Sequence, residues 1–279
     1  MFACAVDGAD PTAAAGSRRY ALRVSTARFR FYEELNDFLP PERRKVEFAH
    51  AFRHRGSIKD MIEALGVPHT EIEVILVNGE SVGFDRMVAD GDRISVYPMF
   101  EAFDVTPLLR LRERPLRDAR FVLDVQLGTL ARYLRLCGFD AMYRSDWRDE
   151  RLAHFAFAER RVLLTRDREL LKRSVVTHGY FVRADKPRLQ LAEVCSRLDL
   201  AGRIAPYTRC IRCNAPLEDV TKAAVAATLE PATRRYYDTF RRCTGCQRVY
   251  WRGSHVARME RLLAELATKA KMEKEKEAK

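Results

Sequence analysis

The sequence predicts a multi-domain protein built around an α/β domain with a mainly parallel sheet. Between residues 120 and 202, short apolar segments alternate with helical patterns, which is typical of strands and helices in a three-layer arrangement. A β-rich segment precedes this domain, and two pairs of cysteines follow it. The chain of 279 residues, 47% of them hydrophobic, is long and apolar enough for about two domains with packed cores.

The N-terminal segment has the pattern of a small mixed domain. Its predicted elements are a strand at residues 20–24 that continues at 28–31, a hairpin strand at 45–48, a helix at 58–65 capped by Ser57, and strands at 72–77 and 93–97. This order, with the segments VNGE and DGDRISVYP, resembles the ubiquitin-like β-grasp fold of small sulfur carriers. Those carriers end in an activated diglycine, which residues 100–103 lack. The resemblance therefore implies a docking or regulatory domain that recruits a protein partner.

The α/β domain is predicted to alternate four strands with four helices. The strands are expected at residues 121–124, 139–143, 162–165 and 180–183. The first helix is marked by a stripe of Leu127, Leu130, Leu134 and Cys137 and stops at Gly138. The other helices are expected at residues 149–159, 167–173 and 187–198.

Acidic residues follow each predicted strand of this domain. They are Asp124 after the first strand, Asp146, Asp149 and Glu150 after the second, Asp167 after the third, and Asp185, a loop or cap residue, after the fourth. Open α/β sheets form their sites beyond the carboxyl ends of the strands, and carboxylate oxygens suit Mg²⁺ or Mn²⁺. Such ions can catalyse phosphodiester hydrolysis. Aspartate also caps helices for structural reasons, so the pattern alone leaves both interpretations open.

Two CxxC pairs predict a structural zinc ribbon. Four thiolates suit a tetrahedral soft ion, and neither pair follows the βα pattern of a thioredoxin-like redox motif. The ligands would be Cys210, Cys213, Cys243 and Cys246. The 29 residues between the two pairs leave room for a helix or hairpin between residues 217 and 240. Seven cysteines, an odd number, argue against a disulfide framework, and Cys137 and Cys195 are predicted core residues.

The charge distribution indicates a polyanionic partner. The net charge is +11, and residues 203–279 contain 17 Lys and Arg against 9 Asp and Glu. Arginines beside aromatic rings suit RNA through phosphate pairing and base stacking, although a solvated basic face is the alternative. The candidates for nucleic-acid binding are Arg132, Arg135, Arg242, Arg248, Trp251, Arg252 and His255. His255 has three open roles: in the active site, on a phosphate, or packed under Trp251.

Several segments together resemble the Mutator-seven C-terminal RNase family. They are FVLDVQLGTLARYLRLCGFDAMY, VLLTRDREL, RCIRCNAPL and FRRCTGCQRVYWRGSHVARM. The family is a PIN-like nuclease domain with a zinc ribbon, and an N-terminal ubiquitin-like domain is a familiar partner in prokaryotic members. The resemblance implies an endoribonuclease that cuts single-stranded RNA with Mg²⁺ or Mn²⁺. Asp124, Asp149 and Asp167 would be catalytic, with Asp146 and Glu150 as alternatives for the middle acid.

Two other functions stay open: a catalytically silent RNA-binding or adaptor protein, and a toxin-like nuclease restrained by a partner. The predicted organisation is a disordered extension at 1–19, the β-grasp domain at 20–104, a linker at 105–119, the PIN-like domain at 120–202, the ribbon and a C-terminal helix at 203–267, and a charged tail at 268–279. No apolar run approaches the ~20 residues that span a bilayer. The start lacks the pattern of a secretory signal, so we expect a cytoplasmic protein without membrane contact.

Overall fold

A computed structural model of the chain describes residues 24–98 and 119–252. These residues form a five-stranded, a four-stranded and a three-stranded sheet. The predicted extension, nearly all of the linker, the C-terminal helix with His255, and the charged tail lie outside the described residues. Within the described ranges, no helix has the length and apolar character needed to cross a bilayer.

The first sheet belongs to the β-grasp domain. Its strands are β1 (Ser25–Phe31), β2 (Phe48–Phe52), β3 (Ile72–Val77), β4 (Glu80–Ser81) and β5 (Arg93–Pro98), in the order β2-β1-β5-β3-β4. β1 and β5 are parallel, and the other neighbours are antiparallel. Helix α1 (Ile58–Ala64) packs on one face and begins at Ser57, whose side chain forms the predicted cap in a capping box with Asp60.

One prediction for this domain needs correction, and one short strand was missed. The hairpin strand begins at Phe48 rather than at residue 45, because Lys45 has a left-handed φ of 58° that interrupts an extended chain. The short strand β4 was not predicted. It forms because Asn78 and Gly79 both have positive φ, which turns the chain back onto β3.

The second sheet is the centre of the PIN-like domain and is fully parallel. Its strands are β6 (Arg120–Leu123), β7 (Asp140–Tyr143), β8 (Val162–Thr165) and β9 (Gly179–Phe181), in the order β7-β6-β8-β9. Helices α2 (Gly128–Leu136) and α5 (Pro187–Arg197) cover one face, and α3 (Asp149–Ala158) and α4 (Arg168–Lys172) cover the other. The predicted three-layer α/β architecture is confirmed. Cys137 and Cys195 lie in the core, as predicted.

The third sheet forms the cysteine ribbon. Its strands are β10 (Leu217–Val220), β11 (Phe240–Cys243) and β12 (Val249–Trp251), all antiparallel. Helices α6 (Lys222–Val225) and α7 (Pro231–Tyr236) fill the long gap between the two cysteine pairs. The excursion therefore combines the two forms that the sequence left open: β10 pairs antiparallel with β11, and the segment between them is helical.

Candidate active site and metal centre

The strand order of the parallel sheet places two of the predicted acids together. From β6 the chain moves outward to β7, then returns to β8 on the other side of β6 and continues to β9. A crevice for ligands forms where the order reverses, beyond the carboxyl ends of β6 and β8. Asp124 directly follows β6, and Asp167 follows β8 after one intervening residue. These two acids therefore border the point where an open α/β sheet forms its site.

A threonine that the sequence analysis missed connects these acids. Asp124 is 6% exposed, and its Oδ2 accepts a hydrogen bond of 2.8 Å from the hydroxyl of Thr165. The Thr165 Oγ1 in turn accepts the amide of Asp167 at 2.9 Å. The available hint was one polar residue at the end of the apolar segment VLLT. Thr165 fixes the position of one acid relative to the backbone of the other.

Both acids also cap the turns that follow them. The Oδ1 of Asp124 accepts the amide of Val125 at 2.5 Å, and the Oδ1 of Asp167 accepts the amide of Glu169 at 2.9 Å. Capping of the following turns by both acids is therefore confirmed. It does not exclude metal binding, because an ionised carboxylate has about four acceptor positions.

Among the described residues the predicted acids lack cationic partners, and Asp124 is the buried one of the five. In residues 24–98 and 119–252, none of the five forms an ion pair; they are Asp124, Asp146, Asp149, Glu150 and Asp167. Arg166, which directly precedes Asp167 in the chain, instead pairs with Asp185 at 2.6 Å and donates to the carbonyl of Arg183. A buried carboxylate without a counter-charge is costly. The environment of Asp124 therefore suits a divalent cation.

The middle acid stays a prediction. Asp146 lies in the loop after β7, and Asp149 and Glu150 are the first residues of α3, all with exposed side chains. In the described part of the chain, the only group of three or more ligand atoms within 4.8 Å of one another is a cysteine cluster. No third carboxylate is thus selected by distance alone.

The four predicted ribbon cysteines converge. The Sγ atoms of Cys210, Cys213, Cys243 and Cys246 all lie within 4.8 Å of one another. Cys210 and Cys246 are 3.6 Å apart, and Cys213 and Cys243 are 3.3 Å apart. Four sulfurs at a Zn–S distance of ~2.3 Å would be ~3.8 Å apart. The cluster can hold a structural metal such as zinc.

The surroundings of the cluster act in opposite directions on the pKa values of its two buried thiols. Burial alone would raise the pKa of Cys210, but hydrogen bonds from the Tyr250 hydroxyl (3.0 Å) and the Cys213 amide (3.4 Å) lower it to about 6. Burial raises the pKa of Cys243 to about 12. The Cys243 sulfur nevertheless accepts the Cys246 amide at 3.3 Å, a contact that stabilises a thiolate. A bound cation would let all four sulfurs ionise together.

Arg135 has a different role from the predicted one. It is buried, its Nε donates to the carbonyl of Ala141 at 2.8 Å, and its Nη1 donates to the carbonyls of Ile211 (3.2 Å) and Arg212 (2.9 Å). Arg135 thus fastens the first cysteine pair to the parallel sheet. Its guanidinium is unavailable to a strand of RNA, and we remove it from the RNA-binding set.

The other predicted RNA-binding residues lie nearer the surface. Arg132 is exposed on α2, and Arg248 and Arg252 are exposed on the ribbon. Arg242 pairs with Glu218 at 3.4 Å, and the half-buried Trp251 ring lies 6.4 Å from that of Tyr237. These positions agree with an arginine-rich ribbon surface.

The fold and the two sites define a class of protein: a PIN-like α/β domain with a cysteine ribbon, preceded by a β-grasp domain. The chain matches the family model described as the Mut7-C RNAse domain over residues 119–263, which is more than half of its length. It therefore belongs to this family. The model described as Mut7-C ubiquitin matches residues 24–104. No curated protein and no solved structure matches the chain.

Proposed function

We propose that the protein is a divalent-metal-dependent ribonuclease that hydrolyses phosphodiester bonds of single-stranded RNA. One observation carries most of the proposal. Asp124 and Asp167 end the two strands at the reversal of strand order, are connected through Thr165, and lack cationic partners in the described residues. This arrangement occurs in a domain of the Mut7-C RNAse family.

In this proposal Asp124 and Asp167 hold Mg²⁺ or Mn²⁺, and Asp149 is the leading candidate for the middle acid. When bound, such ions activate water and stabilise the leaving oxygen. The contribution of the chain is to hold the carboxylates in place before the substrate arrives. Three donors do this: the Thr165 hydroxyl and the Val125 amide on Asp124, and the Glu169 amide on Asp167.

The ribbon would guide the RNA strand. We assign zinc to the cysteine quartet, and RNA contacts to Arg132 and to Arg242, Arg248, Trp251 and Arg252 of the ribbon, with His255 as a further candidate. Arginine binds phosphates, and aromatic rings stack on bases. We place the activity in the cytoplasm, where thiols stay reduced.

Cleavage of labelled RNA tests the proposal. The full chain is incubated with single-stranded RNA, structured RNA or DNA, first without added divalent metal and then with Mg²⁺ or Mn²⁺. We expect metal-dependent cutting of single-stranded RNA. Asp124→Asn and Asp167→Asn should each lower the rate by at least about 100-fold, because catalytic metals depend on these charges.

Asp185→Asn is the matched control. Asp185 also follows a strand of the same sheet, but its side chain is 87% exposed and pairs with Arg166. We expect its variant to retain wild-type activity. Asp146→Asn, Asp149→Asn and Glu150→Gln identify the middle acid, since only the true ligand should match the loss seen at Asp124. Full activity in Asp124→Asn and Asp167→Asn would refute the assigned site.

The same assay separates the alternatives. Tight RNA binding without metal-dependent cutting would favour an adaptor. Cutting that stops when a stoichiometric protein partner is added would favour a restrained, toxin-like nuclease.

A further inference from the structure

The sheet of the β-grasp domain has one face that α1 does not cover. Along β1, Ala27, Phe29 and Phe31 point into the core, so the alternating residues Arg28 and Arg30 point outward. On the neighbouring strand β5, Ile94 and Val96 point inward, and Arg93, Ser95 and Tyr97 point outward. Tyr32 follows directly after β1. We call the set Arg28, Arg30, Tyr32, Arg93 and Tyr97 the Arg-Tyr face.

Aromatic and guanidinium planes are stacked on this face. The rings of Tyr32 and Tyr97 have centroids 4.2 Å apart and planes that differ by 14°. The guanidinium of Arg30 lies 5.1 Å from the centroid of Tyr32. The result is a short row of flat groups on the outside of a sheet. Flat π surfaces of this kind stack with bases irrespective of their sequence.

The face carries more positive than negative charge. Arg28 and Arg93, whose side chains are 69% and 68% exposed, share the carboxylate of Glu47 at 3.4 and 2.7 Å. Within residues 24–98 and 119–252, Arg30 has no ion-pair partner. Three guanidinium groups thus lie beside one carboxylate. Arg28 and Arg93 are register partners, and Arg30 is ~6.6 Å further along β1.

The tyrosine end of this face leads toward the PIN-like domain. β1 runs into a 3-10 helix, Glu33–Phe38, that contacts this domain: Glu34 pairs with Arg197 at 2.6 Å and Asp37 pairs with Arg183 at 3.1 Å. The guanidinium of Arg168 lies 5.0 Å from the Phe38 ring centroid. Arg168 is the residue after the candidate catalytic Asp167. A single-stranded RNA that lay along β1 toward Tyr32 would therefore head for the domain that carries the candidate active site.

We propose that the Arg-Tyr face is a second RNA-binding surface, which holds the part of a single-stranded RNA that extends beyond the active-site crevice. This inference rests on the proposed ribonuclease function. Phosphates pair with Arg28, Arg30 and Arg93, and an unstacked base lies against the flat row of Arg30 and the tyrosines. An acidic peptide would match the charge but would make no use of the stacked rings, so RNA fits the face better.

The test compares RNA binding for two lengths of substrate. Fluorescence anisotropy measures the affinity of the full chain, without added divalent metal, for single-stranded oligonucleotides of about 5 and about 25 nucleotides. In Arg28→Ala/Arg30→Ala, affinity for the longer RNA should fall roughly 25-fold at ~0.1 M salt, since each lost phosphate contact removes about 0.7 from the salt slope. Affinity for the shorter RNA should not change.

Three single variants sharpen the result. Glu47→Gln removes the carboxylate and should tighten binding of the longer RNA. Arg30→Lys keeps the charge but loses the planar group, so it should weaken binding while leaving the salt slope unchanged. Arg188→Ala removes an exposed arginine from α5 and serves as the matched control with wild-type affinity. Unchanged affinity in both Arg28→Ala/Arg30→Ala and Glu47→Gln would overturn the inference. It would favour a protein partner as the ligand of this face.

These outcomes are separable from those of the catalytic test. If the protein cuts RNA and the face variants bind the longer RNA like wild type, the ribonuclease proposal stands and this inference fails. If the protein never cuts RNA but loses affinity in the face variants, the ribonuclease proposal fails and the Arg-Tyr face is still an RNA-binding surface. A wild-type chain that binds no RNA would overturn both.

Discussion

The two edge strands of the parallel sheet are covered by different parts of the chain. β7 is covered by the cysteine ribbon, and β9 is covered by the β-grasp domain. An uncovered edge strand exposes unpaired amides and carbonyls that invite aggregation. At both edges, side chains rather than another strand form hydrogen bonds with backbone groups of the edge strand.

At the β7 edge the cap depends on the first cysteine pair. Asn214, directly after Cys213, accepts the amide of Ala141 at 3.0 Å and donates to Asp140 at 2.7 Å. Arg135 donates to the carbonyl of Ala141 and to two carbonyls of the cysteine loop. The loop that carries the candidate ligands Cys210 and Cys213 therefore also closes the sheet.

At the β9 edge the cap depends on a buried acid. Glu71 accepts the amide of Phe181 at 2.5 Å and pairs with Arg183 at 3.4 Å, and its side chain is fully buried. His69 contacts the carbonyl of Val176 at 2.8 Å, and the rings of Phe38 and Phe181 meet edge to face at 5.6 Å. The β-grasp domain thus forms part of the support of the sheet, in addition to any partner that it recruits.

One edge is thus capped by a loop of the candidate metal site, and the other by a buried acid and its arginine partner. The largest effect should come from the metal site. Cys213→Ser removes one ligand, and since structural zinc supplies on the order of 10 kcal/mol of folding free energy, the ribbon should unfold. Hydrogen exchange should then accelerate at the Ala141 amide while the Phe181 amide stays protected.

Metal content provides the control for this prediction. Wild-type protein should contain one zinc per chain by elemental analysis, and Cys213→Ser should contain none. Cys195→Ala, a core cysteine outside the quartet, should keep its zinc. A folded ribbon in zinc-free protein would show that the cysteine loop is maintained without metal.

The next largest effects come from removing the side chain that caps each edge, Glu71 or Asn214. Glu71→Ala leaves the amide of Phe181 without an acceptor and leaves Arg183 with only the exposed Asp37 as its ion-pair partner, so it should cost about 3–5 kcal/mol. Asn214→Ala leaves the amide of Ala141 without an acceptor and should cost about 1–3 kcal/mol. Urea unfolding of the full chain measures both changes.

Two further variants separate the contributions of charge, hydrogen bonding and backbone strain. Glu71→Gln keeps an acceptor for Phe181 but loses the charge, so it should be milder than Glu71→Ala. Asn214 has a φ of 72°, so Asn214→Gly relieves the backbone while deleting the same hydrogen bonds. An Asn214→Gly variant more stable than wild type would show that the side-chain cap contributes less than the strain of the left-handed backbone costs. A larger loss in Asn214→Ala than in Glu71→Ala would reverse the proposed ranking.

The sequence predicted the features that have a local pattern. Strand β8 and the helix cap at Ser57 were placed correctly, because alternation and capping act over a few residues. The cysteine quartet was also predictable, since four thiolates in two CxxC pairs have few other uses. Asp124 and Asp167 were expected at strand ends, where the structure places them.

The features that were missed depend on contacts between distant residues. The bond from Phe181 to Glu71 spans 110 positions, and that from Ala141 to Asn214 spans 73. Nothing near Arg135 in the sequence shows that its guanidinium turns inward toward carbonyls of the cysteine loop. An arginine on a helix looks the same locally whether its partner is a phosphate or a backbone carbonyl.

The smallest expected effect is a difference in pH response between the two edges. Although burial alone would raise the pKa of Asp140, hydrogen bonds from Arg161 and Asn214 hold it below its ordinary value. Its contribution to stability is present above the unfolded pKa and is lost as pH falls through the folded pKa. Burial raises the pKa of Glu71 despite its contact with Arg183, so its contribution is present at low pH and is lost as pH rises through the folded value.

Acidification from neutral pH should therefore weaken the β7 edge while favouring the β9 edge. Urea midpoints measured across this pH range should fall less steeply in Asp140→Asn than in wild type, because the variant has no carboxylate to protonate. In Glu71→Gln they should fall more steeply, because the variant lacks the compensating proton uptake. Each difference should be on the order of 1 kcal/mol or less, since Asp140 is partly screened by solvent. Parallel pH profiles in wild type and both variants would show that neither acid controls its edge through its charge.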